Sequence, residues 1–537
     1  MNNTPFATNS LILNAFEFIK KKDFLKAKKL LEKAISINPE IFEANHNLAI
    51  LNFQLGNIDD SILFFEKSKK LKPELTQVYF NTALAYDRAN KIELAIQNFK
   101  KVTELDSTNS LAFLNIGILY KKKFSSINAS KYLNKSLDLN SNNLLAYHEL
   151  FGLYERSNQM KEYQILLDKF KKSSIEEDLF YFYYAIYNFS QKNYHKAIEV
   201  FEKINLKKEY LHQNINKHTF LAKSYDRISK FDKAYQHFKK NNELVNSAFG
   251  KNINEKNFVN YINQRINFFN NFKQENWKKF HIQNDYKEPI FIIGFPRSGT
   301  TLLDTILRTN KFVEVVEEKP TLRNFLTELE KRTNNDLSLI NDLDEEYIYK
   351  MQNFYFSERD KYLKNKKVDF IIDKMPLNII HVGEILRFFP NAKFIFALRN
   401  PYDCVLSCFM QQFDLNPAMK NFLSIEASAN LYDLVMKLWK IYKNKFQINF
   451  HFVKYEDIVS NFEKTTKDLY NYLDLTWSDD VKNFYMTGKN RLDISTPSYN
   501  QVSSPLYSRS LDRWKNYKEH FVGVENILDF WVNEFNY

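Results

Sequence analysis

The stretch 291-FIIGFPRSGTTLLDTILRT-309 reads as strand, loop and helix in immediate succession. Phe291 to Ile293 is an apolar run typical of a buried strand, and Thr301 to Leu307 carries apolar residues at helical spacing. Gly294 and Gly299 bound the segment between them. This is P-loop architecture, a turn that aims backbone N–H groups and a helix N-terminus at an anion. Against the nucleotide pattern G-x-x-x-x-G-K-[ST], the two glycines and the hydroxyl of Thr301 fit. The lysine position, however, is Thr300, and the cation is Arg297 inside the loop. The expected ligand is therefore an anion other than an ordinary Mg-triphosphate.

From residue 288 onward, short apolar runs alternate with helical stretches. Strands are predicted at 290-IFII-293, 368-VDFII-372, 393-KFIFAL-398 and 448-INFHFV-453, with a weaker one at 312-FVEVV-316. This alternation predicts a three-layer α/β domain with a parallel sheet over 288–537. In such sheets ligands bind beyond the carboxyl ends of the strands. The runs are followed there by the loop with Arg297, by Glu317 and Glu318, by Asp373 and Lys374, by Arg399, and by Lys454 and Tyr455. Strands often end in polar residues, but four cations and a carboxylate pair on one rim predict an anion site with an acid/base group.

The other half of the chain repeats. Pro39, Pro73, Ser107 and Ser141 fall at intervals of 34, as do Ala27, Ser61, Ala95 and Ala129, each followed four residues later by Leu31, Phe65, Phe99 and Leu133. Ala49, Ala83 and Gly117 keep the same register. A small residue lets one helix approach the next while a large one fills the neighbouring groove, so the pattern predicts stacked helix pairs. It resembles tetratricopeptide repeats over residues 8–245, with looser units at Ala197/Phe201 and Ala234/Phe238. That resemblance implies an all-α solenoid with a concave surface that docks a peptide or protein. Bracing of the following domain and self-association into a homo-oligomer stay open beside it. Residues 250–285 are predicted to form one amphipathic connecting helix.

Composition narrows the classes. The 537-residue chain is too long for one core, and 26% charged with 44% hydrophobic residues is a soluble globular balance. No run of about 18 apolar residues predicts a transmembrane segment, and the opening MNNTPFATNS lacks the basic-then-apolar order of a secretory signal, so a cytoplasmic location is expected. The net charge of +12 favours anionic ligands. The lysines are scattered among acids without a basic run, which points away from nucleic acid. Cys404 and Cys408 lie four apart in one predicted helix, with no other cysteine or histidine cluster nearby. They read as structural thiols, and no metal site is expected.

Taken together, PRSGTT (296–301), EE (317–318), DKMP (373–376), LRNPYDCVLS (398–407), the tyrosine of KYED (454–457) and SYNQVSSPLYSRSLDRW (498–514) resemble the sulfotransferases that use 3′-phosphoadenosine 5′-phosphosulfate, PAPS. The likeness is to the tyrosylprotein sulfotransferase branch and its bacterial relatives with tetratricopeptide repeats. It implies that Arg297, Ser298, Gly299, Thr300 and Thr301 hold the 5′-phosphosulfate without a metal, and that Arg399 and Ser407 bind the 3′-phosphate. Tyr455 would lie near the adenosine and Arg513 near the phosphates. Glu318 is implied as the general base, Lys374 as the group on the bridging oxygen, and Ser498 as a residue that orients Lys374 or the leaving group. DKMP lacks the histidine base of the cytosolic small-molecule branch. Two and six residues after Glu318 stand Pro320 and Asn324, where the tyrosylprotein branch has arginines, which leaves the hydroxyl acceptor open: protein tyrosine, carbohydrate or another alcohol. A second reading makes the repeats the working part and the α/β half a degenerate PAPS-binding module. A nucleotide kinase is a third, which the missing lysine disfavours. On the transfer reading, removal of residues 1–245 is expected to leave nucleotide binding nearly intact.

Overall fold

A computed structural model of the protein describes residues 4–123, 125–173, 176–273, 277, 286–365, 368–490 and 504–537. The chain divides into two compact units, Met1–Asn193 and Tyr194–Tyr537.

The first unit is built from helices: α1 (Thr4–Lys20), α2 (Phe24–Ile37), α3 (Phe42–Leu55), α4 (Ile58–Leu71), α5 (Thr76–Arg88), α6 (Ile92–Leu105), α7 (Ser110–Lys122), α8 (Ser126–Leu139), α9 (Leu144–Arg156), α10 (Met160–Lys171) and α11 (Glu177–Ser190). Pro39, Pro73, Ser107 and Ser141 each open the two-residue turn between helices. The small positions of the 34-residue repeat are where neighbouring helices touch. Ala27, Ser61, Ala95 and Ala129 are fully buried, and Leu31, Phe65, Phe99 and Leu133 are buried one turn later. At Gly117 the clearance is measurable, because a Cβ added there would lie 2.6 Å from Leu133 Cγ. Glycine is what lets α7 lie against α8. Ser61 uses its small size differently, donating its hydroxyl to the Ala49 carbonyl at 2.9 Å across the α3–α4 pair.

The second unit opens with α12 (Tyr194–Lys203), α13 (Leu211–Arg227), α14 (Phe231–Phe249) and α15 (Lys256–Asn270). The connecting helix is thus shorter than the predicted 250–285, whose residues 274–276 and 278–285 lie outside the described set. The chain leaves the helix so that Phe272 can bury itself between Trp277 and Phe446, with ring centroids 4.6 and 5.2 Å away. Then β1 (Ile290–Gly294), α16 (Thr300–Leu307), β2 (Val313–Glu317), α17 (Thr321–Arg332), α18 (Glu345–Asp360), β3 (Phe370–Lys374), α19 (Val382–Phe388), β4 (Lys393–Leu398), α20 (Pro401–Phe409), α21 (Ile425–Lys445) and β5 (Asn449–Lys454) alternate along the chain. The strands form one parallel sheet in the order β2-β3-β1-β4-β5. From central β1 the chain moves to β2 and β3 on one side and then crosses to β4 and β5 on the other. The switch point, where such sheets open a crevice, lies between β1 and β4. No described helix is long and apolar enough to cross a membrane.

Candidate active site

The loop after β1 is shaped by two left-handed residues. Gly299 has φ +98° and would press a Cβ to 3.1 Å from the Tyr455 ring, so glycine is needed both for conformation and for clearance. Arg297, which has a Cβ, nonetheless stands at φ +69°. Such a conformation costs about 1–3 kcal/mol and persists where the surroundings fix it. Those surroundings include α20. Asn400 caps that helix by accepting from the Tyr402 N–H at 3.0 Å, and Pro401 opens it. Cys404, Ser407 and Cys408, at i, i+3 and i+4, share one helical face against the loop. Both thiols donate to the Pro296 carbonyl, at 3.2 and 3.3 Å, and the Arg297 Nε–H donates to the Ser407 hydroxyl at 3.1 Å. Burial pushes the Cys404 thiol up to about 12 and raises that of Cys408 well above its ordinary value, so both stay protonated donors. The two cysteines are the floor of the loop.

Arg399 at the end of β4 faces the same loop. Its guanidinium donates to the carbonyls of Arg297 at 3.2 Å and Ser510 at 2.7 Å, and lies 5.1 Å over the Tyr455 ring. Its Nε, like the hydroxyl oxygen of Ser298, is buried without a hydrogen-bond partner among the described residues. Burial depresses the pKa of Arg297, and the neighbouring Arg399 charge adds to the effect. Two guanidiniums held together in a buried crevice favour an anion between them.

Across the crevice, β2 and β3 pair so that Glu317 stands opposite Lys374. The Lys374 ammonium is fully buried and donates to Glu317 at 3.0 Å and Glu318 at 2.7 Å. Burial works to discharge it, but Glu317, Glu318 and Asp304 outweigh that and raise its pKa. Glu317 is therefore a buried counter-ion at a strand end. Glu318 turns out of the strand at φ +48°, with its side chain 31% exposed.

One cavity of about 500 Å³ gathers most of these groups: Arg297, Gly299, Thr300, Thr301, Glu318, Arg399, Ser407, Tyr455 and Arg513 line it. Ser298 and Lys374 are buried and are not among its lining residues, and Ser498 falls outside the described residues. Further lining groups escaped sequence reasoning. Lys223, Asp226 and Arg227 enter from α13, and Arg509 from the segment before Arg513. Asp226 binds Arg513, Oδ1 lying 2.9 Å from Nη2 and 3.3 Å from Nε, and accepts the Tyr517 hydroxyl at 2.7 Å. α13, which lies within residues 1–245, thus lines the cavity. Among the described residues, no group of three or more His, Cys, Asp or Glu side chains is placed to hold a metal ion.

Residues 289–479 match the sequence model of the Sulfotransferase family. Upstream of this match, residues 15–41, 42–75 and 76–109 match the tetratricopeptide repeat model. An uncharacterized protein of Aquifex aeolicus (strain VF5) is 28% identical over 320 residues, 57% of this chain, and the chain spans 40% of that relative's length. Solved structures similar to part of the chain include pilF of Pseudomonas aeruginosa, at 18% identity and TM-score 0.31, covering 38% of this chain and 92% of that one. Another is a tetratricopeptide repeat protein from Parabacteroides merdae ATCC 43184, at 16% identity and TM-score 0.34, covering 44% of this chain and 93% of that one.

Proposed function

We propose that the protein transfers a sulfuryl group from PAPS to a hydroxyl acceptor, with Glu318 as the general base. The observation that carries this reading is a single cavity lined by a lysine-free glycine loop with Arg297, by Arg399 and by a carboxylate bonded to a buried ammonium. The residues fit a nucleotide with two separate anionic groups. The N–H groups at the start of α16 and the hydroxyls of Thr300 and Thr301 suit the 5′-phosphosulfate. The Nε of Arg399, without a hydrogen-bond partner among the described residues, and the hydroxyl of Ser407 suit the 3′-phosphate. Tyr455 offers a ring face beside the adenosine, and Arg513 a further phosphate contact.

In the transfer step, the acceptor O–H proton passes to a Glu318 carboxylate oxygen as the acceptor oxygen bonds to sulfur. The bond from sulfur to the bridging oxygen breaks in line, and its electron pair stays on the departing 5′-phosphate. Lys374 reaches that oxygen by exchanging its bond to Glu318, an exchange that also frees Glu318 to take the proton. Glu317 keeps the lysine charged throughout. The tetratricopeptide repeats suit protein–protein contact, and we assign them the presentation of a peptide or protein acceptor.

Calorimetry with adenosine 3′,5′-bisphosphate in metal-free buffer tests the donor. Binding without magnesium is expected. No binding would overturn the reading, and Mg-dependent binding of ATP would replace it with a kinase. Labelled PAPS in lysate of the source cell then identifies the acceptor.

A further inference from the structure

The face of α13 that carries Lys223, Asp226 and Arg227 looks in sequence like the solvated side of a repeat helix. The spacing i, i+3, i+4 sets the three side chains side by side, and all three line the cavity. The middle of this face is negative in otherwise positive company. Lys223, Arg227, Arg509 and Arg513 stand around Asp226, which holds Arg513 through two guanidinium nitrogens on one carboxylate oxygen and takes the Tyr517 hydroxyl on the same atom. Arg227 lines the cavity, and partial burial together with the nearby Arg509 lowers its pKa.

Geometry decides what such an aspartate does. An arginine with its Nε and one Nη engaged by a carboxylate keeps its remaining N–H donors in a fixed plane, and the guanidinium fork then meets a phosphate without first being ordered. We infer that Asp226, on the last repeat-like helix pair, is the positioning residue that presents Arg513 to the anion in the cavity, so that α13 is a working part of the binding site. This deepens, and rests on, the reading of the cavity as a PAPS site. Tyr517 locks the carboxylate from behind. Its hydroxyl keeps its proton, because burial and the Asp226 charge both raise its pKa.

The sign of the effect separates this role from the alternatives. An aspartate that merely offsets surrounding cations weakens anion binding, so its removal would tighten it. An aspartate that merely ties α13 to the 513–521 segment would act whether or not Arg513 is present. A positioning aspartate loses its effect when the arginine is gone.

The test is a double-mutant cycle on the full chain with Asp226→Ala, Arg513→Ala and the pair, titrated with adenosine 3′,5′-bisphosphate and separately with inorganic pyrophosphate. Asp226→Ala is expected to weaken binding by about tenfold in the wild-type background and to change nothing in the Arg513→Ala background. Asp226→Glu, which keeps the charge at a different reach, should recover only part of the loss. Tighter binding by Asp226→Ala, or an equal loss in both backgrounds, overturns the inference. Should Asp226→Ala fail to fold, Asp226→Asn takes its place in the same cycle with the same criteria. A wild type that binds pyrophosphate and not the nucleotide would sink the PAPS reading alone, and the pyrophosphate arm would still decide on Asp226.

Discussion

Glu318 and Lys374 hold each other twice. The Glu318 N–H donates to the Lys374 carbonyl at 2.8 Å, and the Lys374 ammonium donates back to the Glu318 carboxylate at 2.7 Å. The backbone bond extends the β2–β3 ladder by one residue past the strand, and the left-handed turn at Glu318 then swings its side chain over the lysine. Strain and ion pair together aim one carboxylate of an adjacent pair into the cavity while the other is buried.

Glu318→Gln should lower single-turnover transfer by about 10² to 10⁴, the usual worth of a general base, while binding nucleotide nearly as tightly as the wild type. Glu317→Gln is the control, since Glu317 touches Lys374 from behind. If Glu318→Gln keeps more than about a tenth of the rate while Glu317→Gln loses nearly all of it, the base is Glu317.

Arg399→Ala should cost on the order of 2–4 kcal/mol in nucleotide binding, by removing charge-assisted bonds to the 3′-phosphate. Affinities for PAPS and its 3′-dephosphorylated form measure this directly. An alanine variant that still distinguishes the two as well as the wild type does would dissociate Arg399 from the 3′-phosphate.

Truncation should depend sharply on where the cut falls. Removing 1–193 takes away one compact unit and should leave nucleotide affinity nearly unchanged. Removing 1–245 also takes α13 and most of α14, including Asn242, whose amide donates to the carbonyls of Phe409 and Leu423 at 3.0 and 3.2 Å. The longer deletion should lose both affinity and thermal stability. Equal affinities for the two truncated chains would mean that α13 contributes nothing to binding.

Asp373 sets a pH dependence of stability. Burial pushes its carboxyl up to about 7, against the Tyr355 hydroxyl, Arg359 and Lys374, which all favour the charged form. Between its ordinary value of 3.8 and about 7 the folded chain holds a proton that the unfolded chain has released. This group's contribution to stability therefore falls as pH rises across that window and is flat above it. Asp373→Asn should raise the melting midpoint more at pH 8 than at pH 5. The same change at both values would mean that the carboxyl ionises normally.

What sequence revealed was local or periodic. The glycine loop, the five apolar runs and the residues just beyond them are contiguous signals, so the sheet and most of its rim could be read directly. The 34-residue spacing of alanines did the same for the helix pairs. Asp226 and Arg513 were illegible as partners because 287 residues separate them and nothing in either neighbourhood points to the other. The helix over 250–285 was read too long because its apolar spacing does not reveal that Phe272 turns away to meet Phe446. Glu317 was read as a neighbour of the base, since only the β2–β3 register shows that both carboxylates share one lysine.

The thiols beneath the loop also give the protein a built-in reporter. They are the chain's two cysteines, both buried and both kept as unreactive S–H groups by that burial. An alkylating reagent has no other target of its kind on this chain. Its rate of labelling therefore clocks the opening of the loop after β1, against a silent background and without any introduced probe.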